Sequence, residues 1–174
     1  MKKLCCIIIC FVLLSLTACN QSKPSKETRF LLDTVVEITI YDDNSKKIID
    51  ELFDKIEDME NKYSRYVEGS EISEINSNPG TFVSVSEDTF ELVEHCLYFS
   101  AISDGLFDIS IGPLVDLWDI NGENPKVPSR SEIDEAKNKI NYRNIAVDRE
   151  NRAVSVTDGM SIDPGAVAKG FITD

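Results

Sequence analysis

The chain has 174 residues, 31 acidic and 18 basic side chains, a formal charge of −13, and a hydrophobic fraction of 42%. That fraction supports a packed core and excludes wholesale disorder, and the length leaves room for one domain or for part of a larger one. The acidic balance argues against a nucleic-acid partner, and the single histidine, His95, excludes a multi-histidine metal site and argues against a Ser-His-Asp triad.

Residues 1–18 read as an export signal. Lys2 and Lys3 precede an apolar run that is too short to be a stable membrane span. Leu16-Thr17-Ala18-Cys19 resembles a bacterial lipobox, cut before a cysteine that then carries lipid such as palmitate. The mature chain is therefore expected to begin at Cys19 and to sit at the cell membrane on the extracytoplasmic face, held by acyl chains. Removing residues 1–18 takes away two of the 18 basic groups, so 16 face 31 acidic ones and the charge becomes −15. Residues 19–28, polar and proline-containing, read as a tether, and residues 29–174 as the folded part. Cys5, Cys6 and Cys10 leave with the signal. Cys96 then has no partner for a disulfide and, among apolar helical positions, reads as a buried structural thiol.

Along the folded part, residues 29–41 alternate Val36, Ile38 and Ile40 with Glu37 and Thr39, which predicts one half-buried strand. Residues 42–44 can turn the chain. From Ser45 to about Tyr63, Ile48, Ile49, Leu52, Phe53, Ile56 and Met59 fall at helical spacing. Residues 64–80 read as a polar loop and 81–85 as a short strand. Ser86 is a cap for a second helix with a stripe of Leu92, Val93, Cys96, Leu97 and Ala101, stopped at Gly105. Residues 105–121 resist assignment, with Trp118 read as core. Ser129 and Glu132 predict a capping box for a helix over 130–139. Residues 145–147 and 153–156 predict a hairpin, 160–163 a strand end, and 166 onward a helix. The order gives an α+β fold, a mixed layered sheet-and-helix domain. A helix that opens just before Asp174 leads to the expectation that the domain is C-terminally incomplete.

The chemistry concentrates in Asp163-Pro164-Gly165-Ala166-Val167-Ala168-Lys169-Gly170. A carboxylate at a strand end precedes a tight turn and a helix start, where free N–H groups attract anions, and Lys169 adds a full positive charge. The residues alone leave two readings open: a phosphate site, or an ordinary strand-to-helix turn with Asp163 as its cap. Asp108 is equally open, as a ligand group or as a cap for the segment after it, and Phe107 as ligand or core.

This segment resembles the D-x-G-[GA]-[IV]-A-K-G motif of the FAD:protein FMN transferases, the ApbE family. Three further segments agree in the same order: Phe30 to Tyr41; Tyr63-Ser64-Arg65-Tyr66 with Ser70-Glu71-Ile72-Ser73 and Asn76; and Gly105-Leu106-Phe107-Asp108 with Gly112-Pro113-Leu114-Val115 and Leu117-Trp118. Where the first motif usually has Met-Gly, this chain has Leu32-Asp33. The resemblance implies a Mg²⁺-dependent lipoprotein enzyme that splits FAD, attaches FMN through a phosphoester to a threonine or serine of an acceptor flavoprotein, and releases AMP. It also implies that Leu32, Tyr66, Leu106, Phe107, Asp108, Asp163 and Lys169 line the FAD site, and that Ala166 gives its backbone oxygen to the metal. Asn76 falls at the position linked to transfer versus hydrolysis. Further metal ligands come, by the same likeness, from a C-terminal half that these residues do not include. Two other readings stand beside the transferase: a Mg²⁺-dependent FAD pyrophosphatase, and a non-catalytic flavin-binding or remnant lipoprotein.

Overall fold

The computed structural model describes residues 24–42, 45–120 and 122–174. The signal, Cys19 and most of residues 19–28 lie outside them. The described residues fall into two compact units, one ending at Asp54 and one beginning at Lys55.

The first unit is a β-hairpin followed by the start of a long helix. Strands β1 (Ser25–Leu31) and β2 (Thr34–Ile40) pair antiparallel from Ser25↔Ile40 to Leu31↔Thr34. The sequence predicts a single strand over 29–41; the chain instead reverses at Leu32 and Asp33, both left-handed, with φ 56° and 55°. This two-residue turn matches the twist of the flanking strands. Residues 25–28, which read as tether, belong to β1. Alternation holds as predicted: Val36, Ile38 and Ile40 are partly covered, whereas Phe30 and its cross-strand partner Val35 are exposed. Helix α1 (Ser45–Tyr63) forms as expected, and in this unit it buries Ile49 and Phe53, whereas Ile48 and Leu52 of the predicted stripe are exposed. Arg29 lies over the Phe53 ring at 4.4 Å and pairs with Asp50 at 2.6 Å.

The second unit holds the main core. Residues 64–80, expected to be loop, contain a seven-residue helix α2 (Glu71–Ser77), because Ile72 and Ile75 sit one turn apart and both are fully buried. Its start is built by Ser70, whose hydroxyl accepts from the Ser73 N–H at 2.9 Å. A three-stranded antiparallel sheet has the order β3 (Val83–Ser84), β5 (Ala153–Ser155), β4 (Ala146–Asp148); the β4–β5 hairpin is the predicted one. Helix α3 (Glu87–Ile102) buries Thr89, Phe90, Leu92, Val93, Cys96 and Ser100. Ser100 is buried and Ala101 exposed, so the stripe runs one residue earlier at its end than predicted. Ser86 precedes α3 but gives it no side-chain cap; its N–H and hydroxyl both donate to the Glu71 carboxylate, at 3.1 and 2.7 Å, tying α2 to α3.

The unassigned stretch contains helix α4 (Gly112–Trp118), with Trp118 half-buried, not core as expected. Helix α5 (Arg130–Lys137) carries the predicted Ser129–Glu132 capping box. Residues 160–163 form no named strand. They contribute one parallel bridge, Ile111↔Ser161, and lead into helix α6 (Gly165–Thr173). Helices, a small sheet and a hairpin bear out the α+β assignment.

Candidate functional site

The bend between Ser161 and Ala166 is fixed from several sides by the chain's own polar groups. Asn76, at the end of α2, clamps the backbone of Ile162: its Nδ2 donates to the Ile162 carbonyl at 3.0 Å, and its Oδ1 accepts from the Ile162 N–H at 2.7 Å. The Asp163 N–H donates to the Ile109 carbonyl at 2.8 Å, and the Gly112 N–H to the Ser161 carbonyl at 3.2 Å. Gly112 is required at this approach. A Cβ there would lie 2.6 Å from the Ser161 carbonyl oxygen, a distance no real side chain keeps.

Asp163 is four-fifths covered, and both of its carboxylate oxygens face protein. Oδ1 accepts from the Gly165 N–H at 2.9 Å, and Oδ2 lies 3.6 Å from Arg65 Nη1. The Val167 and Ala168 N–H groups both donate to the Pro164 carbonyl at 2.9 Å. The start of α6 therefore supplies much of its own capping, with a protein carboxylate already in place. Of the two sequence readings of Asp163, the contacts show the turn: its carboxylate closes the bend that leads into α6.

Arg65, to which the sequence assigns no role of its own, joins the bend to α4. Its side chain is only 7% exposed. Nη2 donates to Asp116 Oδ2 at 2.8 Å and to Ser161 Oγ at 3.4 Å, and Nη1 donates to the Gly112 carbonyl at 3.4 Å. Its Nε is buried without a partner. The guanidinium lies 5.2 Å from the centre of the Tyr66 ring, and that ring is exposed. Partial burial raises the Tyr66 hydroxyl pKa, with Arg65 opposing the shift. A signal was available in the sequence: one arginine between aromatic neighbours in an acidic chain.

The remaining predicted residues are distributed differently. Asp108 is engaged within the protein: Oδ1 accepts from the Ser110 N–H at 2.8 Å and the Ser110 hydroxyl at 2.7 Å, and Oδ2 accepts from the Tyr142 N–H at 3.0 Å. Asp108 closes the turn at Ser110 but does not cap α4, whose N-cap residue is Ile111 with no side-chain cap. Phe107 is half-buried against the core. It lines a cavity of about 750 Å³ with Ala166, Phe99, Ile102 and Phe171, a mainly apolar space large enough for a planar ring system. Leu106 is almost wholly exposed, at 94%, and Lys169 is exposed on α6. Leu32 belongs to the hairpin turn of the first unit. The structure thus brings Tyr66, Asn76 and Asp163 together through Arg65 and Ile162, and Phe107 with Ala166 around the cavity.

Cys96 is fully buried, and burial, followed by the Asp163 charge, pushes its thiol up to about 12, as expected for a structural cysteine. For magnesium the fit is incomplete. Among the described residues no three His, Cys, Asp or Glu side chains come together to hold a metal, and both Asp163 oxygens are committed. One backbone oxygen from Ala166 does not make the octahedral oxygen shell that Mg²⁺ requires.

A sequence model of the ApbE family matches residues 32–174. The FAD:protein FMN transferase of Haemophilus influenzae is 26% identical over 193 residues, covering 100% of this chain and 54% of that protein. The FAD:protein FMN transferase of Klebsiella pneumoniae is 33% identical over 107 residues, covering 60% of this chain and 34% of that protein. The crystal structure of the ApbE protein from Thermotoga maritima superposes with a TM-score of 0.83 at 33% identity, over 86% of this chain and 50% of that one. The chain thus spans about half, or less, of the length of these relatives.

Proposed function

The chain belongs to the ApbE family, and from that premise we propose that it acts as a FAD:protein FMN transferase. FAD is the substrate. A threonine or serine hydroxyl of an acceptor protein attacks the flavin-side phosphorus of the pyrophosphate. The P–O bond to the AMP moiety breaks, AMP leaves with the bridging oxygen, and the hydroxyl proton passes to solvent. FMN is left on the acceptor as a phosphoester.

The observation that carries this reading is the rigid 161–166 bend, held by Asn76 and Arg65 beside an exposed Tyr66 ring. Preformed polar geometry of this kind orients a diphosphate without reorganising at the moment of reaction. The exposed ring can pack against an aromatic ring of the dinucleotide, and Lys169 offers a mobile positive charge from α6. Mg²⁺ belongs to the proposal on the family likeness, since the described residues do not complete a site for it; the ion would supply charge neutralisation on the phosphates. Attachment through a lipidated Cys19 on the extracytoplasmic face is likewise proposed, from Leu16-Thr17-Ala18-Cys19. No helix among the described residues is long and apolar enough to cross a membrane.

The test is incubation of the purified protein with FAD, Mg²⁺ and a threonine-containing acceptor protein. AMP release together with flavin fluorescence that stays on the denatured acceptor is the expected result. AMP and free FMN without labelled acceptor would make the protein a pyrophosphatase. FAD binding without AMP would make it a flavin binder, and no binding would overturn the reading.

A further inference from the structure

We propose that Arg65 is a positioning residue for the flavin dinucleotide: its buried guanidinium locks Asp163, the start of α4 and the Tyr66 loop into one preformed site. The proposal rests on the flavin-transferase reading above and deepens it.

The guanidinium touches all three segments. Its hydrogen-bond acceptors lie 47, 51 and 96 residues away in sequence: the Gly112 carbonyl, Asp116 and Ser161. Asp163 adds an ion pair at 3.6 Å, longer than a hydrogen bond. Stability alone does not account for this arrangement. Taking an arginine out of water is costly, and apolar residues of similar size commonly serve a core as well or better. The cost is greater here because Nε is buried with no acceptor. What an arginine supplies, and an apolar residue or a lysine does not, is a rigid planar fork that sets the directions of several acceptors at once.

Those directions matter at two places. One oxygen of Asp163 is bound to the Gly165 N–H, so Arg65 determines where the other points and with it the tilt of the carboxylate at the start of α6. The same cation holds the Tyr66 loop, leaving that ring 68% exposed toward solvent. Without Arg65 the carboxylate and the ring would each still exist but would no longer be fixed relative to one another.

The experiment is a double-mutant cycle on FAD affinity, read by flavin fluorescence, with R65Q, D163N and the double variant in the intact protein. Each single change should weaken binding about tenfold, the scale of a charge-assisted hydrogen bond. If Arg65 acts through Asp163, the double variant should be no more than about threefold weaker than D163N alone. R65K, which keeps the charge and loses the fork, should recover only part of the loss. Because a buried arginine's removal can unfold a protein, D116N is the second variant; Asp116 is 57% exposed, yet provides the shortest contact to Arg65. D116N should weaken FAD binding about threefold with unchanged circular dichroism. Full additivity in the cycle, or full rescue by R65K, overturns the proposal and leaves the transferase reading standing. Folded R65Q or D116N that binds FAD as well as wild type does the same. Wild-type protein that does not bind FAD overturns both.

Discussion

At Gly112 the packing is close enough for a single hydrogen atom to be decisive. Its N–H bonds to the Ser161 carbonyl, its own carbonyl accepts from Arg65, and the space a Cβ would need is filled by Ser161 backbone. Gly112→Ala should therefore destabilise the protein by about 1–3 kcal/mol, an overpacking cost that thermal melting would register. It should also impair FAD binding, because the displaced backbone is one wall of the bend. A melt identical to wild type would show that the α4 start yields more easily than its contacts imply. The sequence discloses Gly112 as part of a motif but not the reason for it, since the neighbour it approaches lies 49 positions further on. The partners of Arg65 are hidden for the same reason: nothing local to residues 63–66 indicates acceptors at 112, 116 and 161. Cys96 was legible because its surroundings are its own helix, whose apolar spacing announces burial.

Elements were legible in proportion to their length and periodicity. Helix α1 has 19 residues and α3 has 16, and each repeats an apolar pattern over several turns. Helix α2 has seven residues, five of them polar, and its two isoleucines are too few to announce a period. The hairpin was missed because its turn carries Leu32-Asp33 where left-handed backbone favours Asn-Gly. That mismatch gives a prediction. Asp33 keeps a side chain at φ 55°, a conformation that costs an L-residue about 1 kcal/mol, with Asp among the less penalised types. Asp33→Gly should therefore stabilise the β1–β2 hairpin by about 0.5–1 kcal/mol. Slower amide exchange across the pairs flanking the turn is the expected readout, and unchanged or faster exchange would refute it.

For the molecule as a whole, 31 carboxylates against 18 bases make acid the natural probe of stability. Asp88 reports on one packed pair. Burial raises its pKa, but hydrogen bonds from Lys62 at 2.8 Å and from Ser86, with the Lys62 charge, outweigh that and lower it to about 2. A carboxylate held below its unfolded value of 3.8 stabilises the fold above that pH, and the contribution is lost as the pH falls toward 2. Lys62→Met should thus lower stability at about pH 5 by less than about 1 kcal/mol, since solvent screens the pair. The gap between variant and wild type should close as acid protonates Asp88. Urea midpoints across that range measure it, and a gap that persists in acid would assign the loss to packing.

The reach of Arg65 also orders events in time. A newly made chain has its arginine and its first acceptors long before Ser161 and Asp163, 96 and more residues later, can arrive. Closing so long a loop is entropically unfavourable and slow compared with forming α1 or α3. Until then the cation remains hydrated, Tyr66 wanders, and no dinucleotide can be gripped. Competence for ligand should therefore lag behind the recovery of helical signal on refolding, arriving with the last segment to dock.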